Sequence, residues 1–168
     1  GFWLIQRPNQ APICIDGCGY AAQNASIEFY KNQGLQNIPG RGPLAALTLG
    51  GTIGSWQQAR NYTSETSSLA DLKTLLQPAI ELALNGIEVT QSLQHASEKV
   101  SQDLAHLENY RQVFEPHGTT LKQGETLKNP ALANFLTQLA EQGLDSMYRG
   151  DIAANIVKSL EEVKQLGL

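Results

Sequence analysis

One cysteine between two glycines, at the end of an apolar run, is the first residue of this sequence suited to chemistry. The stretch reads Asp16-Gly17-Cys18-Gly19-Tyr20. The two glycines permit backbone conformations with positive φ and leave room for a ligand to approach the main chain. We therefore expect substrate contacts from Cys18, Gly19 and Tyr20. The alternative is that these three residues serve only the turn and its packing.

The thiols and imidazoles elsewhere in the sequence do not suggest a metal site. Cys14 and Cys18 lie four residues apart without a neighbouring histidine, and two thiols are too few ligands. We predict two reduced thiols, with Cys14 in the core. His95 and His106 are expected on one helix, about 16 Å apart along its axis, so they cannot share a metal and are predicted at the surface. No metal and no cofactor is expected.

Two short apolar runs position the stretch around Cys18. Residues 2–5 lack alternation, which predicts a strand buried on both faces, and residues 13–15 predict a second strand that ends at Asp16. Turn residues at positions 8–10 join the two runs into a hairpin. A buried strand that begins at residue 2 also suggests that the sequence starts inside a larger protein.

The next part of the sequence alternates loop, strand and helix. Residues 38–43 (IPGRGP) are predicted to be an ordered loop, because two prolines and two glycines exclude regular structure. A second buried strand is expected over residues 44–49. A glycine turn then leads to a helix over residues 53–62, with Thr52 as N-cap and Trp56 on its inner face.

The remainder of the chain is predicted to be mostly helical. A bent pair of helices is expected over residues 69–76 and 79–84, with a proline between them. An apolar stripe at steps of three and four residues predicts one long helix over residues 93–114. A further helix is expected between an N-cap at Asn129 and a stop at Gly143.

Composition excludes two classes of partner. Twelve Lys and Arg stand against sixteen Asp and Glu, giving a net charge of −4, and no basic run could follow a phosphate backbone. Nucleic acid is therefore not expected as a partner. No apolar stretch approaches the roughly 20 residues that cross a bilayer, so no membrane span is expected.

Several motifs of the sequence carry a family resemblance. Leu127 to Val157 reads LKNPALANFLTQLAEQGLDSMYRGDIAANIV and resembles the large-subunit signature of the gamma-glutamyltranspeptidase superfamily. That signature is an (R/K)-(N/Q)-P-x-L-A segment with its helix, then A-E-x-G-x-D-x-(F/M)-Y-x-G and another helix. Upstream, Pro78 to Ala83 (PAIELA), Gly50 to Trp56 (GGTIGSW) and the hairpin of Phe2 to Ala22 resemble further family segments in the same order. The resemblance spans essentially the whole chain.

The resemblance implies the fold class, the partner and the nucleophile. The fold expected is α+β, part of an αββα N-terminal-nucleophile hydrolase sandwich, as a large-subunit segment with a mostly helical C-terminal half. Such enzymes are made as one precursor that cuts itself, and the nucleophile is a threonine at the start of the small (beta) subunit. No catalytic residue is therefore expected in this chain. Residues 1–62 and 63–168 would be two parts of one incomplete domain, which a second chain completes.

One departure from the family pattern bears on the substrate. In the transpeptidases proper the hairpin ends in D-G-R-E, whose arginine binds the α-carboxylate of the glutamyl substrate. Cys18 stands there in this sequence and cannot replace that cation. The G-(S/C)-G-x-A-x ending followed by I-P-x-R-G-P resembles instead the sub-branch that holds oxamate amidohydrolase. By that resemblance Arg41 is the candidate cation for a substrate carboxylate, although an arginine in such a loop also suits neighbouring carbonyl groups.

Three functional classes follow from the resemblance. The first is the large subunit of an amidohydrolase acting on a small amide such as oxamate and releasing ammonia. The second is a gamma-glutamyltransferase or glutathione hydrolase that recruits a different cation, and the third is a non-catalytic relative that serves binding or assembly. A cytoplasmic location would fit the first class, and a periplasmic or secreted one the transpeptidases.

Two motifs are predicted to be structural although they look functional. His117-Gly118-Thr119-Thr120 resembles the paired threonines of a small-subunit start, but the sequence after it is polar and turn-prone, which predicts a surface loop. The motif at residues 148–151 (YRGD) is predicted to be a turn between two helices, with Asp151 as a cap.

Overall fold

The chain combines short strands with many helices. A computed structural model describes residues 1–40, 44–45, 48–65 and 68–160. Within these ranges the strands are β1 (Phe2–Ile5), β2 (Ile13–Asp16), β3 (Ile87–Glu88) and β4 (Thr126–Leu127). The helices are α1 (Ile27–Asn32), α2 (Thr52–Ser64), α3 (Leu72–Asn85), α4 (Gln91–Leu104), α5 (Glu108–Phe114), α6 (Pro130–Gln142), α7 (Ser146–Arg149) and α8 (Asp151–Ser159).

These elements form two compact units. Unit 1 comprises residues 1–69 and 142–168, and unit 2 comprises residues 70–141. Unit 1 therefore contains the hairpin, α2 and the last two helices, and it is interrupted in sequence by the whole of unit 2. The prediction that a second chain completes one domain stays a prediction.

The hairpin of unit 1 is confirmed. β1 and β2 pair antiparallel, with Trp3 opposite Ile15 and Leu4 opposite Cys14. Opposed residues of such a pair share one face of the sheet. On the inner face the indole Nε1 of Trp3 donates a hydrogen bond of 3.0 Å to Oγ of Ser55, which fixes this face against α2.

The outer face of the hairpin is exposed in this chain. Phe2 is 71% and Leu4 77% accessible, and both thiols, Cys14 and Cys18, are free and exposed. The prediction of two reduced thiols is confirmed. Burial of the first strand on both faces and of Cys14 in the core is wrong for this chain, because the described residues cover only the inner face.

The turn of the hairpin is fastened to the end of α2 by Arg7. Its guanidinium donates hydrogen bonds to Oε2 of Glu65, at 3.1 Å, and to the carbonyl oxygen of Tyr62. It also lies 3.5 Å from the centre of the Tyr62 ring, within the range of a cation–π contact. Because the last carbonyl groups of a helix carry partial negative charge, a cation is favourable there.

Helix α2 begins one residue earlier than the sequence predicted. Gly51 occupies the N-cap position and makes no side-chain hydrogen bond, so Thr52 is the first helical residue and not the cap. Ile53, Ser55 and Ala59 are its buried residues, and Trp56 is half-buried.

The predicted strand over residues 44–49 is absent among those of its residues that the structure describes. Leu44 and Ala45 form a turn and a bend, and Thr48 makes an isolated antiparallel bridge to Ala21. The other predicted strand residues include 46 and 47, which lie outside the described residues, as does Arg41 in the preceding loop.

In unit 2 the expected helix pair is one continuous helix. Asp71 caps α3 by accepting a hydrogen bond of 2.6 Å from the N–H of Thr74, and Pro78 lies inside the helix. A proline removes one donor and crowds the carbonyl group four residues earlier, but the buried stripe of Leu76, Ile80 and Ala83 runs past it. Packing of this stripe explains why the helix continues.

The expected long helix is, conversely, two helices. α4 ends at Leu104 and α5 begins at Glu108, because Leu107 takes an extended conformation between them. His95 and His106 are exposed, as predicted. The sequence did not predict the short pairing of β3 with β4, since two-residue strands are too short for a recognisable pattern.

The third helix of this region matches its prediction. Oδ1 of Asn129 accepts a hydrogen bond of 3.0 Å from the N–H of Leu132, and Gly143 follows the helix with φ of +87°. Beyond it, Gly150 and not Asp151 occupies the N-cap position of α8, again without a side-chain hydrogen bond. His117 to Thr120 lie in turns and irregular structure, so the predicted loop is confirmed.

Candidate functional site

The segment after β2 is packed closely against the start of α2. A Cβ atom on Gly19 would lie 1.6 Å from the carbonyl oxygen of Leu49, and one on Gly51 would lie 2.5 Å from the carbonyl oxygen of Gly17. A Cβ atom on Gly17 would lie 2.6 Å from Cβ of Ser55. Positions 17, 19 and 51 therefore require glycine, because a side chain would clash with neighbouring atoms.

This finding corrects the expected role of the glycines beside Cys18. The described glycines with positive φ are Gly34, Gly86, Gly118, Gly124 and Gly143, which do not include Gly17 or Gly19. The room that a missing Cβ leaves is occupied by the chain itself. The glycines thus allow the segment after β2 to pack closely against the turn before α2.

Asp16 holds the backbone and the thiol of Cys18. The N–H of Cys18 donates a hydrogen bond of 2.8 Å to Oδ1 of Asp16. This bond lowers the pKa of the Asp16 carboxyl. The hydrogen bond from the thiol to the same carboxylate, with smaller effects of desolvation and of the carboxylate charge, raises the pKa of Cys18. Cys18 is therefore a neutral thiol near neutral pH, which does not suit a nucleophile.

Cys18, Gly19 and Tyr20 line one cavity of about 490 Å³, so the structure brings three of the four predicted site residues together. Tyr20 is 88% accessible and stands at the surface of the chain. The rest of the described wall comes from the turn before α2, the first turns of α2 and the segment around α7: Leu49, Gly51, Gly54, Gln57, Gln58, Leu144, Asp145, Tyr148 and Arg149. All of these residues belong to unit 1.

Tyr148 joins the segment around α7 to the turn before α2. Its hydroxyl donates a hydrogen bond of 2.7 Å to the carbonyl oxygen of Gly50 and accepts one of 2.7 Å from the N–H of Gly54. Sequence reasoning assigned Tyr148 to a turn between helices and missed this contact. The tyrosine of the family motif was visible, but its partners are more than 90 residues away in sequence.

Charge in the described wall is confined to one ion pair. Arg149 and Asp145 are paired four residues apart, and both side chains are mostly exposed. Arg149 is the only cation among the described residues that line the cavity. The fourth predicted site residue, Arg41, cannot be compared with it, because Arg41 lies outside the described residues.

The described residues offer no candidate metal site and no membrane-spanning helix. Within them no three or more His, Cys, Asp or Glu side chains come together in a group able to hold an ion. None of the described helices has the length and apolar character that a bilayer span requires.

The sequence model of one protein family, described as Gamma-glutamyltranspeptidase, matches residues 1–167. The chain belongs to the gamma-glutamyltranspeptidase family. The resemblance that was stated from the sequence motifs is thereby confirmed.

Named relatives within the gamma-glutamyltranspeptidase family include hydrolases of two kinds. The oxamate amidohydrolase proenzyme of Klebsiella pneumoniae is 38% identical over 161 residues, which is 95% of this chain and 30% of that protein. The glutathione hydrolase-like YwrD proenzyme of Bacillus subtilis is 32% identical over 161 residues, again 95% of this chain and 30% of that protein. The chain thus spans about 30% of the length of these relatives.

Two solved structures have the same fold as this chain. The Helicobacter pylori gamma-glutamyltranspeptidase superposes with a TM-score of 0.84 over 96% of this chain and 46% of that one, at 23% identity. A cephalosporin acylase from Bacillus halodurans superposes with a TM-score of 0.82 over 96% of this chain and 30% of that one, at 25% identity. The predicted fold class, an α+β segment of an N-terminal-nucleophile hydrolase, is confirmed.

Proposed function

We propose that this chain is part of the large subunit of a self-processing amidohydrolase that releases ammonia from a small amide such as oxamate. The observation that supports it most is Cys18 in the cavity wall, a neutral side chain where the transpeptidases proper are expected to carry an arginine. The 38% identity to a protein named oxamate amidohydrolase proenzyme points in the same direction.

In the proposed reaction the chain supplies the wall and a second chain supplies the nucleophile. The hydroxyl of an N-terminal threonine on the small subunit would attack the amide carbon while the threonine α-amine accepts its proton. The tetrahedral intermediate would then lose ammonia as the C–N bond breaks, with the proton returned to the leaving nitrogen. Water would hydrolyse the resulting ester, which releases the acid and restores the threonine.

Within this reaction Cys18, Gly19 and Tyr20 would contact the part of the substrate that does not react. A substrate carboxylate needs a cation, and Arg41 is the sequence-based candidate for that role. Arg149 is the competing candidate, because it lines the same cavity as Cys18. Its pairing with Asp145 already satisfies part of its guanidinium, which favours Arg41.

The small subunit is proposed to cover the outer face of the hairpin. Phe2 and Leu4 expose most of their apolar surface there. Large exposed apolar surface of this kind is typical of an interface and is unfavourable in contact with water.

Glutathione hydrolysis is the second candidate function. It is favoured by the names of other relatives, among them the glutathione hydrolase proenzyme of Escherichia coli, which is 30% identical over 164 residues. The absence of an arginine at position 18 disfavours it, because an α-carboxylate binds best to a two-pronged donor.

Intact mass spectrometry of the full-length gene product, with sequencing of every new N-terminus, tests the proposal. Two fragments, the smaller beginning with threonine, are expected, and the processed enzyme should release ammonia from oxamate faster than it cleaves a gamma-glutamyl anilide. The reverse substrate order would favour the glutathione hydrolase. A single uncut chain without either activity would refute both and leave the binding or assembly function.

The role of Arg41 is tested in the same enzyme by Arg41→Gln. Loss of a charge-assisted hydrogen bond should raise KM for oxamate at least tenfold. Arg111→Gln is the matched control, since Arg111 lies outside the described cavity lining and its ion pair with Glu108 is long, at 3.9 Å. An unchanged KM in the Arg41 variant, with a raised KM after Arg149→Gln, would move the role to Arg149.

A further inference from the structure

The hydroxyl of Tyr148 bridges two ends of one tight turn. It donates to the carbonyl oxygen of Gly50 and accepts from the N–H of Gly54, each at 2.7 Å. The N–H of Gly54 belongs to the first turn of α2, where backbone donors have no partner inside the helix. Tyr148 thus provides for this donor what a capping side chain would provide, and Gly51 at the N-cap has no side chain to do so.

Gly54 makes the close approach of the tyrosine feasible. A Cβ atom at this position would lie 3.2 Å from the hydroxyl oxygen of Tyr148 and 3.5 Å from its ring. The absent side chain at position 54 and the hydroxyl at position 148 therefore fit each other. A Cβ atom at position 54 would require the hydroxyl to shift by a few tenths of an ångström, which would lengthen its two hydrogen bonds of 2.7 Å.

The Gly50–Gly54 turn, which Tyr148 holds, packs closely against the backbone beside Cys18. A Cβ atom on Gly51 would lie 2.5 Å from the carbonyl oxygen of Gly17 and 3.0 Å from the carbonyl carbon of Cys18. One residue before the turn, the N–H of Leu49 donates a hydrogen bond of 3.0 Å to the carbonyl oxygen of Tyr20. The segment from Gly17 to Tyr20 is thus fixed through the turn on one side.

We propose that Tyr148 is a positioning residue of the substrate site: it fixes the Gly50–Gly54 turn, and the turn fixes Cys18 and Tyr20 in the cavity wall. The proposal rests on the proposed function, because it assigns the wall to the substrate. Tyr148 performs no chemical step. It acts on substrate binding through the turn.

Removing the hydroxyl alone isolates this role. Tyr148→Phe keeps the ring in the cavity wall and removes both hydrogen bonds to the turn. The turn should then become more mobile, and the segment beside it should follow. We expect KM for the amide substrate to rise about threefold to tenfold, the range for one or two lost hydrogen bonds, with kcat changed less than twofold.

A second measurement does not depend on catalysis. The rate at which iodoacetamide alkylates Cys18 in the full-length protein, followed by peptide mass spectrometry, reports on the contact of Cys18 with Asp16. Movement of the wall breaks the hydrogen bond that raises the pKa of this exposed thiol, so more thiolate is available to react. This rate should rise about threefold to tenfold in Tyr148→Phe. The alkylation rate of Cys18 in Tyr62→Phe is the reference, because Tyr62 lies outside the cavity lining, and this rate should equal that of the unaltered protein.

Two further variants complete the test. Tyr62→Phe is the control, because Tyr62 also lies in unit 1 but near the C-terminal end of α2, whereas Gly54 is near its start. The hydroxyl of Tyr62 makes a hydrogen bond of 3.4 Å to Gln10. Gly54→Ala displaces the same hydroxyl by a few tenths of an ångström, so it should raise KM and the alkylation rate in the same direction as Tyr148→Phe but by less. It keeps the test valid if Tyr148→Phe fails to fold.

The outcomes separate the proposal from the proposed function. Unchanged alkylation of Cys18 in both cavity variants would show that Tyr148 does not hold the wall. Faster alkylation with an unchanged KM would show that the wall does not contact the substrate, and either result overturns the proposal. If the unaltered enzyme hydrolyses no amide, the proposed function fails, and the positioning of a substrate site fails with it. The alkylation rates would still show whether the hydrogen bonds of Tyr148 to the turn hold Cys18 in place.

Discussion

Replacing Gly19 by alanine should disrupt the wall of the cavity more than any exposed glycine replacement in the same chain. The added Cβ atom would lie 1.6 Å from the carbonyl oxygen of Leu49 and 2.5 Å from its carbonyl carbon. Both atoms belong to the backbone, so no side chain can turn away to make room. The two segments of chain must separate.

The size of the effect follows from the required movement. An ordinary contact of a Cβ atom is 3.4–4 Å, so the segments must separate by roughly 2 Å. That movement breaks the hydrogen bond from the N–H of Leu49 to the carbonyl oxygen of Tyr20 and the bridge between Ala21 and Thr48. Overpacking costs about 1–3 kcal/mol and the lost hydrogen bond about 1 kcal/mol, which gives a destabilisation of roughly 2–4 kcal/mol.

Gly40→Ala is the matched control for this substitution. It adds the same methyl group to another loop of unit 1, at a position where no atom of the described residues lies within 4 Å of the new Cβ atom. Urea unfolding of the two full-length variants, followed by Trp fluorescence, should give a clearly lower midpoint for Gly19→Ala alone. Hydrogen exchange of the Leu49 amide should accelerate in that variant as well.

Two results would refute the reasoning. Equal urea midpoints for the two variants would mean that the close approach at Gly19 adds no constraint. A lower midpoint with normal protection of the Leu49 amide would mean that the destabilisation arises elsewhere in the chain.

Two further substitutions test the electrostatics and the capping described above. In Asp16→Asn the carboxylate that raises the pKa of Cys18 is gone, so the pKa of the thiol should fall and its alkylation near neutral pH should become faster; a pH profile of iodoacetamide alkylation that does not move to lower pH would contradict this. Asn129→Ala removes the acceptor for the N–H of Leu132 and should destabilise the protein by about 1 kcal/mol in thermal unfolding, whereas Asn129→Asp, which keeps an acceptor, should unfold near the original temperature.

Local signals predicted those elements of the chain that depend on neighbouring residues. The hairpin follows from two apolar runs around a turn, and α6 follows from the cap at Asn129 and the stop at Gly143, where the positive φ requires a glycine. Each of these features is decided within about a dozen residues. The sequence therefore contains all the information that they need.

Features decided by packing were beyond local reasoning. Pro78 is a strong local signal for a break, yet the buried stripe on either side of it keeps α3 continuous. The unbroken apolar stripe before Phe114 predicted one helix, whereas Leu107 separates two. The face of β1 that remains exposed depends on what else covers the sheet, which the pattern of residues 2–5 does not contain.

The candidate site shows the same division. The sequence predicted Cys18, Gly19 and Tyr20 as site residues because a thiol, two glycines and a strand end are adjacent in it, and the three residues do line one cavity. It gave the glycines the wrong role, since the atoms that exclude a Cβ include those of Leu49 and Ser55, 30 and 38 residues away from Gly19 and Gly17. Tyr148 was missed for the same reason.

Because unit 2 interrupts unit 1 in sequence, the two parts of the cavity wall are synthesised at different times. Gly50 and Tyr148 are 98 residues apart, and a ribosome that adds about 5–20 residues each second needs roughly 5–20 s to proceed from one to the other. During that interval the nascent chain already carries Cys18 and the turn, but not the hydroxyl that fixes them. The wall is therefore completed only after all of unit 2 has been synthesised, and a chain released before residue 148 would present Cys18 in an unanchored segment.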